Sequence, residues 1–168
     1  MHWYALRIFY KRSSAIIAEL DAEAIEYFNP AEVIASLLFV RCDERRVMLL
    51  SDQYRGDAWV YRSLDNRQKP AEIDDHEMEV FRFVVTAGRQ GLTMLGDDRP
   101  EYHEGDRVVV TGGPFKGAEG HIKRIKRDRR LVVTIRGIVA VATTYIHPSL
   151  LRKVDEPDAP KTIGWGKV

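Results

Sequence analysis

The chain has 168 residues and a mass of 19.3 kDa, which is enough for one or two small domains. Its 45% hydrophobic and 30% charged residues form an ordinary soluble composition. The single cysteine, Cys42, excludes an internal disulfide framework and is expected to be a small buried residue. The sequence shows no export signal and no run of about 18 apolar residues. We therefore expect a cytoplasmic protein without a membrane span.

The net charge of +1 conceals two parts of opposite sign. Residues 1–104 carry 13 Lys and Arg against 19 Asp and Glu, a net charge of −6. Residues 105–153 carry 11 Lys and Arg against 3 Asp and Glu, a net charge of +8. An acidic part followed by a basic part predicts two domains with different partners.

The first forty residues predict strands around one short helix. Residues 3–10 are aromatic and aliphatic and predict a buried strand. The apolar residues within 16–20 have helical spacing. Residues 27–28 predict a short strand that ends at Pro30. The continuous apolar run over 33–40 predicts a central strand.

Two carboxylates are placed to cap the helices that follow. Asp43 precedes a short amphipathic segment, and Asp74 lies three residues before Glu77, which is the spacing of a capping box. A strand over 58–61 separates the two helices, and the second helix is expected to end near Gly88. The order β-α-β-β-α-β-α predicts a small mixed α/β domain.

The second part of the chain predicts a small β-barrel. Residues 88–104 contain three glycines, a proline and several charges, and this composition predicts a linker. The sequence GDRVVVTGGPFKGAEGHIKRIKRDRRLVV then alternates β-branched strands with glycine-containing turns. This pattern resembles the KOW motif, on the residues Gly105, Asp106, Val108, Gly113, Pro114, Phe115, Gly117 and Gly120. Residues 155–168 contain two prolines and two glycines and predict a mobile tail.

Motifs along nearly the whole chain resemble those of NusG-type transcription elongation factors. The matching stretches are Trp3-Tyr4-Ala5-Leu6, Leu38-Phe39-Val40-Arg41, Lys69-Pro70-Ala71-Glu72-Ile73 with Glu77-Met78, and Gly113-Pro114-Phe115-Lys116-Gly117-Ala118-Glu119-Gly120. The stretches GLTMLGDDRPEYHEGDRV and LVVTIRGIVAVATTYI most resemble the specialised UpxY-type antiterminators, which serve single operons for surface polysaccharide.

The resemblance implies an α+β fold in two domains. A mixed α/β sandwich, the NGN-like domain, would span residues 1–87, and a linker would span 88–104. A small SH3-like β-barrel that carries the KOW motif would span 105–154. The implied function is non-catalytic transcription antitermination and elongation. The first domain of such factors sits on the clamp helices of the largest RNA polymerase subunit and suppresses pausing, which promotes processive transcription of particular operons.

The clamp contact that the resemblance implies is an apolar depression between the sheet and a helix. By position in the motifs, it would consist of Ala5, Ile34, Leu37, Phe39, Ile73, Met78 and Phe81. A few buried anchors give such a surface most of its binding energy. The same side chains could instead form the core of the domain, and the sequence leaves both interpretations open.

Two departures from the family pattern limit what the resemblance implies. The stretch before Val33 is short, where the family usually carries a longer and often basic loop. In the barrel, Arg136 occupies a position that is aromatic in general NusG factors, in which it helps the barrel to dock on ribosomal protein S10. The resemblance therefore does not imply that S10 or Rho is a partner.

A basic cluster is predicted at the tip of a hairpin in the barrel, relieved only by Asp128. It consists of Lys123, Arg124, Lys126, Arg127, Arg129 and Arg130. These side chains could neutralise several phosphates of non-template DNA or nascent RNA. The alternatives are docking on the acidic first domain and plain solvation. No aromatic residues interleave the cluster, so sequence-selective stacking of single strands is not predicted.

The remaining residues predict neither an enzyme nor a metal site. The five histidines are scattered without metal-ligand spacing to Cys42, and no nucleophile or phosphate-loop motif is present. We expect a monomer without cofactor or metal. A KOW-type RNA-binding or ribosome-associated protein is the alternative, although it explains the basic part better than the acidic one. An enzyme with an accessory barrel would need a catalytic constellation.

Overall fold

The computed structural model of the chain describes residues 1–154, so the predicted tail over 155–168 lies outside the described residues. The helices and strands of residues 1–87 follow the predicted order, and the described chain continues with six further strands. They are β1 (His2–Ile8), α1 (Ser14–Ala22), β2 (Glu26–Phe28), β3 (Leu37–Cys42), α2 (Glu44–Gln53), β4 (Ala58–Val60), α3 (Asp75–Ala87), β5 (Thr93–Gly96), β6 (Arg107–Val110), β7 (Glu119–Ile125), β8 (Asp128–Ile135), β9 (Val139–Tyr145) and β10 (Leu151–Lys153). Short 3₁₀ helices span Pro100–His103 and Pro148–Leu150.

The first four strands form an antiparallel sheet in the order β2-β3-β1-β4. Successive side chains of a strand point to opposite faces. Tyr4 and Leu6 therefore pack with α1 and α2 on one face, whereas Trp3 and Ala5 pack with α3 on the other. Burial on both faces explains why β1 is apolar almost throughout.

Both predicted helix caps are present. The Asp43 carboxylate accepts a hydrogen bond from the Arg46 N–H at 2.7 Å. The Asp74 carboxylate accepts from the His76 N–H at 2.9 Å and the Glu77 N–H at 3.4 Å. Each aspartate satisfies N–H groups that have no partner inside the first turn of its helix.

One predicted strand begins later than the apolar run suggested. The N–H groups of Val33 and Ile34 donate to the Pro30 carbonyl at 2.8 and 2.6 Å, so this stretch turns instead of extending. Strand β3 starts at Leu37 and, as predicted, lies in the interior of the sheet. The turn buries Ile34 to 1% exposure, which accounts for an apolar residue at a position outside any strand.

The second part of the chain forms a six-stranded antiparallel sheet in the order β10-β6-β7-β8-β9-β5. The predicted fold class, an α/β domain followed by a small β-barrel, is confirmed. The segment 88–104, however, is not an unstructured linker, because it contributes β5, in which Thr93 pairs with Ala142 of β9. That pairing partner is distant in sequence, so local composition could not reveal it. The domain boundaries stay a prediction.

Candidate functional site

The structure brings the seven residues of the predicted clamp contact together between the first sheet and α3. They belong to one apolar cluster. The name sheet–α3 cluster is used below for these seven residues, which are Ala5, Ile34, Leu37, Phe39, Ile73, Met78 and Phe81. The ring centroids of Phe39 and Phe81 are 5.5 Å apart. None of the seven is more than 3% exposed, so in this arrangement they pack as a core.

The apolar packing continues from the sheet–α3 cluster into the barrel. Barrel residues such as Leu131, Val133 and Ile135 belong to the same contiguous core, and α3 contacts β8. Val80, half-buried on α3, lines a cleft of about 350 Å³ together with Val132 and Val133. The barrel therefore lies on the α3 side of the first domain.

Polar contacts also join α3 to the barrel. The Arg136 N–H donates to Glu77 Oε1 at 3.0 Å, and His76 Nε2 lies 3.6 Å from Glu119 Oε1. The Arg136 guanidinium reaches Asp65 Oδ1 at 3.7 Å. Burial raises the pKa of Glu77, and the N–H from Arg136 opposes that rise. The Glu77 carboxylate thus serves the domain contact, whereas the sequence placed it in a capping box.

The glycines of the barrel allow strands to approach closely. Gly105 has φ +101°, and a Cβ there would lie 2.6 Å from the Ile122 carbonyl oxygen. A Cβ on Gly120 would lie 2.3 Å from the Val132 carbonyl oxygen. A side chain at either position would force backbone apart, which explains the requirement for glycine. The corner beside them buries Phe115 to 7% exposure.

The basic cluster lies on the hairpin formed by β7 and β8, as predicted. Ile125 pairs with Asp128, so the turn consists of Lys126 and Arg127 alone. Both turn residues have positive φ, 48° and 76° respectively. Positive φ at both central residues is the signature of a type I′ turn, the connection that suits the twist of a two-stranded ribbon.

The six basic side chains fall into two groups. Lys123 Nζ donates to the Glu101 carbonyl oxygen and lies 5.7 Å from the centre of the Tyr102 ring. Arg130 donates to Thr93 Oγ1 at 3.0 Å and lies 3.7 Å from Asp128. The others, here called the free hairpin cations, are exposed, with no Asp or Glu of residues 1–154 within 4 Å; they are Arg124, Lys126, Arg127 and Arg129.

Comparison with known proteins identifies part of the barrel. Residues 104–136 match the KOW motif family, over the glycine corner and the basic hairpin. The chain carries a KOW motif. No curated protein sequence matches the chain. One solved structure, described as "Domain interaction in Thermotoga maritima NusG", is similar with a TM-score of 0.48 and 17% identity, over 92% of this chain and 97% of that chain.

Tyr145, next to the KOW motif, is a candidate residue that sequence reasoning missed. It pairs with Arg130 across β8 and β9, and it is 52% exposed. Its ring centroid lies 6.5 Å from that of His147, edge to face. Tyr145 lies 15 positions after Arg130 in the sequence. The sequence alone therefore does not show that an exposed aromatic ring lies beside the basic hairpin.

Other candidate features stay outside this site. Among residues 1–154, no group of three His, Cys, Asp or Glu side chains is placed to hold a metal ion. Cys42 is buried, as predicted, and burial raises the pKa of its thiol to about 11. No described helix is long and apolar enough to cross a membrane.

Proposed function

We propose that the chain is a NusG-like transcription elongation and antitermination factor. Its NGN-like first domain binds RNA polymerase, and its barrel forms a second contact module. The observation that carries the proposal is the KOW motif over 104–136, in a chain whose first part is an α/β domain. The seven residues of the predicted clamp contact lie in one apolar cluster of that domain.

The proposed contact for the clamp helices of the largest polymerase subunit is the sheet–α3 cluster. Transfer of a Leu, Ile or Phe side chain from water into an apolar contact is worth about 1.5–3 kcal/mol, so a few of these residues would suffice as anchors. All seven are covered while α3 packs on the sheet and the barrel packs on α3. Polymerase binding on this surface therefore requires α3 or the barrel to move.

The proposal extends to the specialised UpxY-type antiterminators of surface polysaccharide operons, acting as a monomer in the cytoplasm without catalysis. Ribosomal protein S10 and Rho are left out of the proposed partners. Arg136 stands where the family uses an aromatic residue for S10, and here its backbone and guanidinium contact Glu77 and Asp65 of the first domain. Because Arg136 already contacts the first domain, it is poorly placed to bind a second partner at the same time.

A KOW-type RNA-binding or ribosome-associated protein is the second candidate function. The observation that favours it is the basic hairpin of the KOW motif, whose four free hairpin cations have no acidic partner among residues 1–154. The acidic first part of the chain, with a net charge of −6 over residues 1–104, speaks against it. Proteins that lie on ribosomal RNA need a positive surface to neutralise phosphates.

The first experiment measures binding of the full chain to core RNA polymerase by gel filtration and titration. We expect a complex that an isolated clamp-helix fragment competes away. Leu37→Ala removes most of one cluster side chain and is expected to weaken binding at least tenfold, because one lost anchor costs more than 1.4 kcal/mol. Leu49→Ala, at a 49% exposed leucine of α2, is the matched control and should bind normally.

Several outcomes contradict the proposal in different ways. Binding to ribosomes but not to polymerase would favour the second candidate function. A polymerase complex that the fragment does not compete away would move the contact off the clamp helices. Circular dichroism of Leu37→Ala shows whether the variant has kept its fold, since a loss at a residue only 3% exposed also lowers stability.

A further inference from the structure

The segment between the two domains carries an inference about how they move relative to each other. We infer that residues 91–103, here called the strap, are a fixed arm of the barrel, and that the joint between the domains is the three residues 88–90. The barrel then swings on a short hinge when it leaves α3, whereas a tether over the whole of 88–104 would let it travel far. This arrangement goes beyond the proposed polymerase contact and does not depend on it.

The strap covers an apolar patch on the outer face of the barrel. Successive side chains of a strand point to opposite faces, so Val132 of β8 and Ala140 and Ala142 of β9 face away from the barrel core that their neighbours form. All three are nevertheless fully buried. Leu95 and Tyr102 of the strap pack against them. Removal of the strap would expose this patch to water, which costs free energy in proportion to its apolar area.

Two side chains of the basic hairpin hold the strap near both of its ends. Arg130 donates to Thr93 Oγ1 at 3.0 Å, beside the pairing of β5 with β9. Lys123 Nζ donates to the Glu101 carbonyl oxygen and lies 5.7 Å from the centre of the Tyr102 ring. Both basic side chains are partly buried, where a hydrogen bond is stronger than in open water. A segment fastened at both ends does not act as a flexible tether.

Asp98 fastens the middle of the strap to the turn between β8 and β9. Its side chain is 5% exposed, and a carboxylate buried to that degree needs hydrogen-bond partners. Asp98 Oδ2 accepts from the Gly137 N–H at 3.0 Å and lies 2.9 Å from His103 Nε2. The neighbouring residue of the turn, Arg136, donates its N–H to Glu77 of α3. The strap therefore holds the turn through which the barrel contacts the first domain.

Three residues, 88–90, separate α3 from the strap. Gly88 is the C-cap of α3, and its N–H still donates to the Val84 carbonyl oxygen at 2.9 Å. Gly91 already contacts the barrel, because a Cβ there would lie 2.4 Å from Thr144 Cγ2 of β9. Three extended residues span at most about 11 Å, whereas the whole segment 88–104 would span about 60 Å. A barrel released from α3 therefore stays close to the C-terminal end of that helix.

Hydrogen exchange of the full chain, read by mass spectrometry, tests whether the strap belongs to the barrel. Peptides that cover β5 are expected to be as protected as those of β9. Asp98→Ala leaves the Gly137 N–H without its acceptor, so β5 should exchange about tenfold faster, the factor for a loss of about 1.4 kcal/mol. Asp98→Asn keeps an acceptor oxygen and should keep most of the protection. Asp97→Ala, at the exposed neighbouring aspartate, is the matched control and should change nothing.

The hinge is tested by lengthening the chain at two places in a release variant, Glu77→Ala with Val80→Ser, which lacks two contacts of α3 with the barrel. Eight Gly-Ser residues inserted between Gln90 and Gly91 raise the reach of the joint from about 11 to about 40 Å. Small-angle scattering should show a larger radius of gyration. The same eight residues inserted between Glu104 and Gly105 are the matched control. They lie between the strap and the barrel, so they should loop out and leave the radius unchanged.

Equal expansion by the two insertions would show that 88–104 acts as one flexible tether, and this would overturn the inference. Fast exchange of β5 while β8 and β9 stay protected would overturn it as well, and so would equal effects of Asp98→Ala and Asp97→Ala. If neither insertion expands the chain, the exchange of β5 decides. If Asp98→Ala does not fold, the comparison of Asp98→Asn with the wild type replaces it. Polymerase binding in the earlier experiment is independent of each result.

Discussion

A single tyrosine hydroxyl orders the polar contact between α1 and α2. Tyr54 Oη donates to Glu19 Oε2 at 2.5 Å, and Arg46 bridges Glu19 to Glu23 at 2.5 and 2.7 Å. The hydrogen bonds from Tyr54 and then Arg46 lower the pKa of Glu19 below its usual value. A carboxyl group whose pKa is lowered by folding stabilises the fold above its unfolded pKa and loses that contribution as the pH falls.

Tyr54→Phe is therefore expected to destabilise the protein in a pH-dependent way. At pH 7 the free energy of unfolding should fall by about 1.5 kcal/mol, because the variant loses a hydrogen bond to an ionised group. The difference from the wild type should shrink as the pH falls below about 4.5, where Glu19 becomes protonated in the unfolded chain and then in the folded one. Urea titrations from pH 7 to pH 3 measure both effects.

The control for this prediction is Tyr10→Phe, which removes a hydroxyl from a side chain that is 82% exposed. It should match the wild type at every pH. A constant difference between Tyr54→Phe and the wild type over the whole range would show that the hydroxyl does not act through the ionised carboxylate of Glu19.

Residues whose roles are local could be predicted from the sequence, and residues whose roles are long-range could not. Asp43 and Asp74 cap helices whose first turns follow them directly, so a few neighbouring residues suffice to predict each cap. Glu77 contacts Arg136, 59 positions away, and no local sequence pattern predicts that contact. The sheet–α3 cluster was predicted through family motifs, but its burial depends on packing between distant elements.

At the scale of elements, glycine and proline marked turns well, whereas apolar runs marked strands less well. The corner of the KOW motif lies where predicted, because positive φ at Gly113 and Gly117 restricts the choice of residue. Residues 33–36 are as apolar as a strand, but two hydrogen bonds to Pro30 hold them in a turn. Strand β5 arises from a pairing with β9 that composition cannot show.

The type I′ turn of the hairpin yields a prediction about one element. Lys126→Asn with Arg127→Gly relieves two positive φ angles, each worth about 1 kcal/mol for an ordinary side chain. The double variant is expected to raise the free energy of unfolding by about 1–2 kcal/mol. Urea titration of the wild type and the double variant measures this difference in stability.

A control variant at the other end of the hairpin removes one positive charge without changing the residues of the turn. Lys123→Gln retains a donor for the Glu101 carbonyl but removes one positive charge, so its stability should change little. If the turn variant is no more stable than the wild type, the positive φ angles carry no strain.

At the scale of the whole molecule, the two domains share one apolar core, so the barrel and a polymerase partner would compete for the same side of the first domain. The contact between α3 and the barrel combines Val80 on the apolar side with the Glu77–Arg136 hydrogen bond on the polar side. Neither Val80 nor Glu77 belongs to the sheet–α3 cluster. Both can therefore be changed without altering the proposed polymerase contact itself.

Glu77→Ala with Val80→Ser is expected to release the barrel from α3 and to strengthen polymerase binding. Where the undocked form is rare, each 1.4 kcal/mol removed from docking raises its population and the apparent affinity about tenfold. Small-angle scattering should show a larger radius of gyration, and titration with core polymerase a lower Kd. Glu79→Ala with Thr86→Ser, at exposed positions of the same helix, should change neither quantity. Expansion without a gain in affinity would mean that the barrel does not cover the polymerase site, and a loss of affinity would place Glu77 or Val80 in that site.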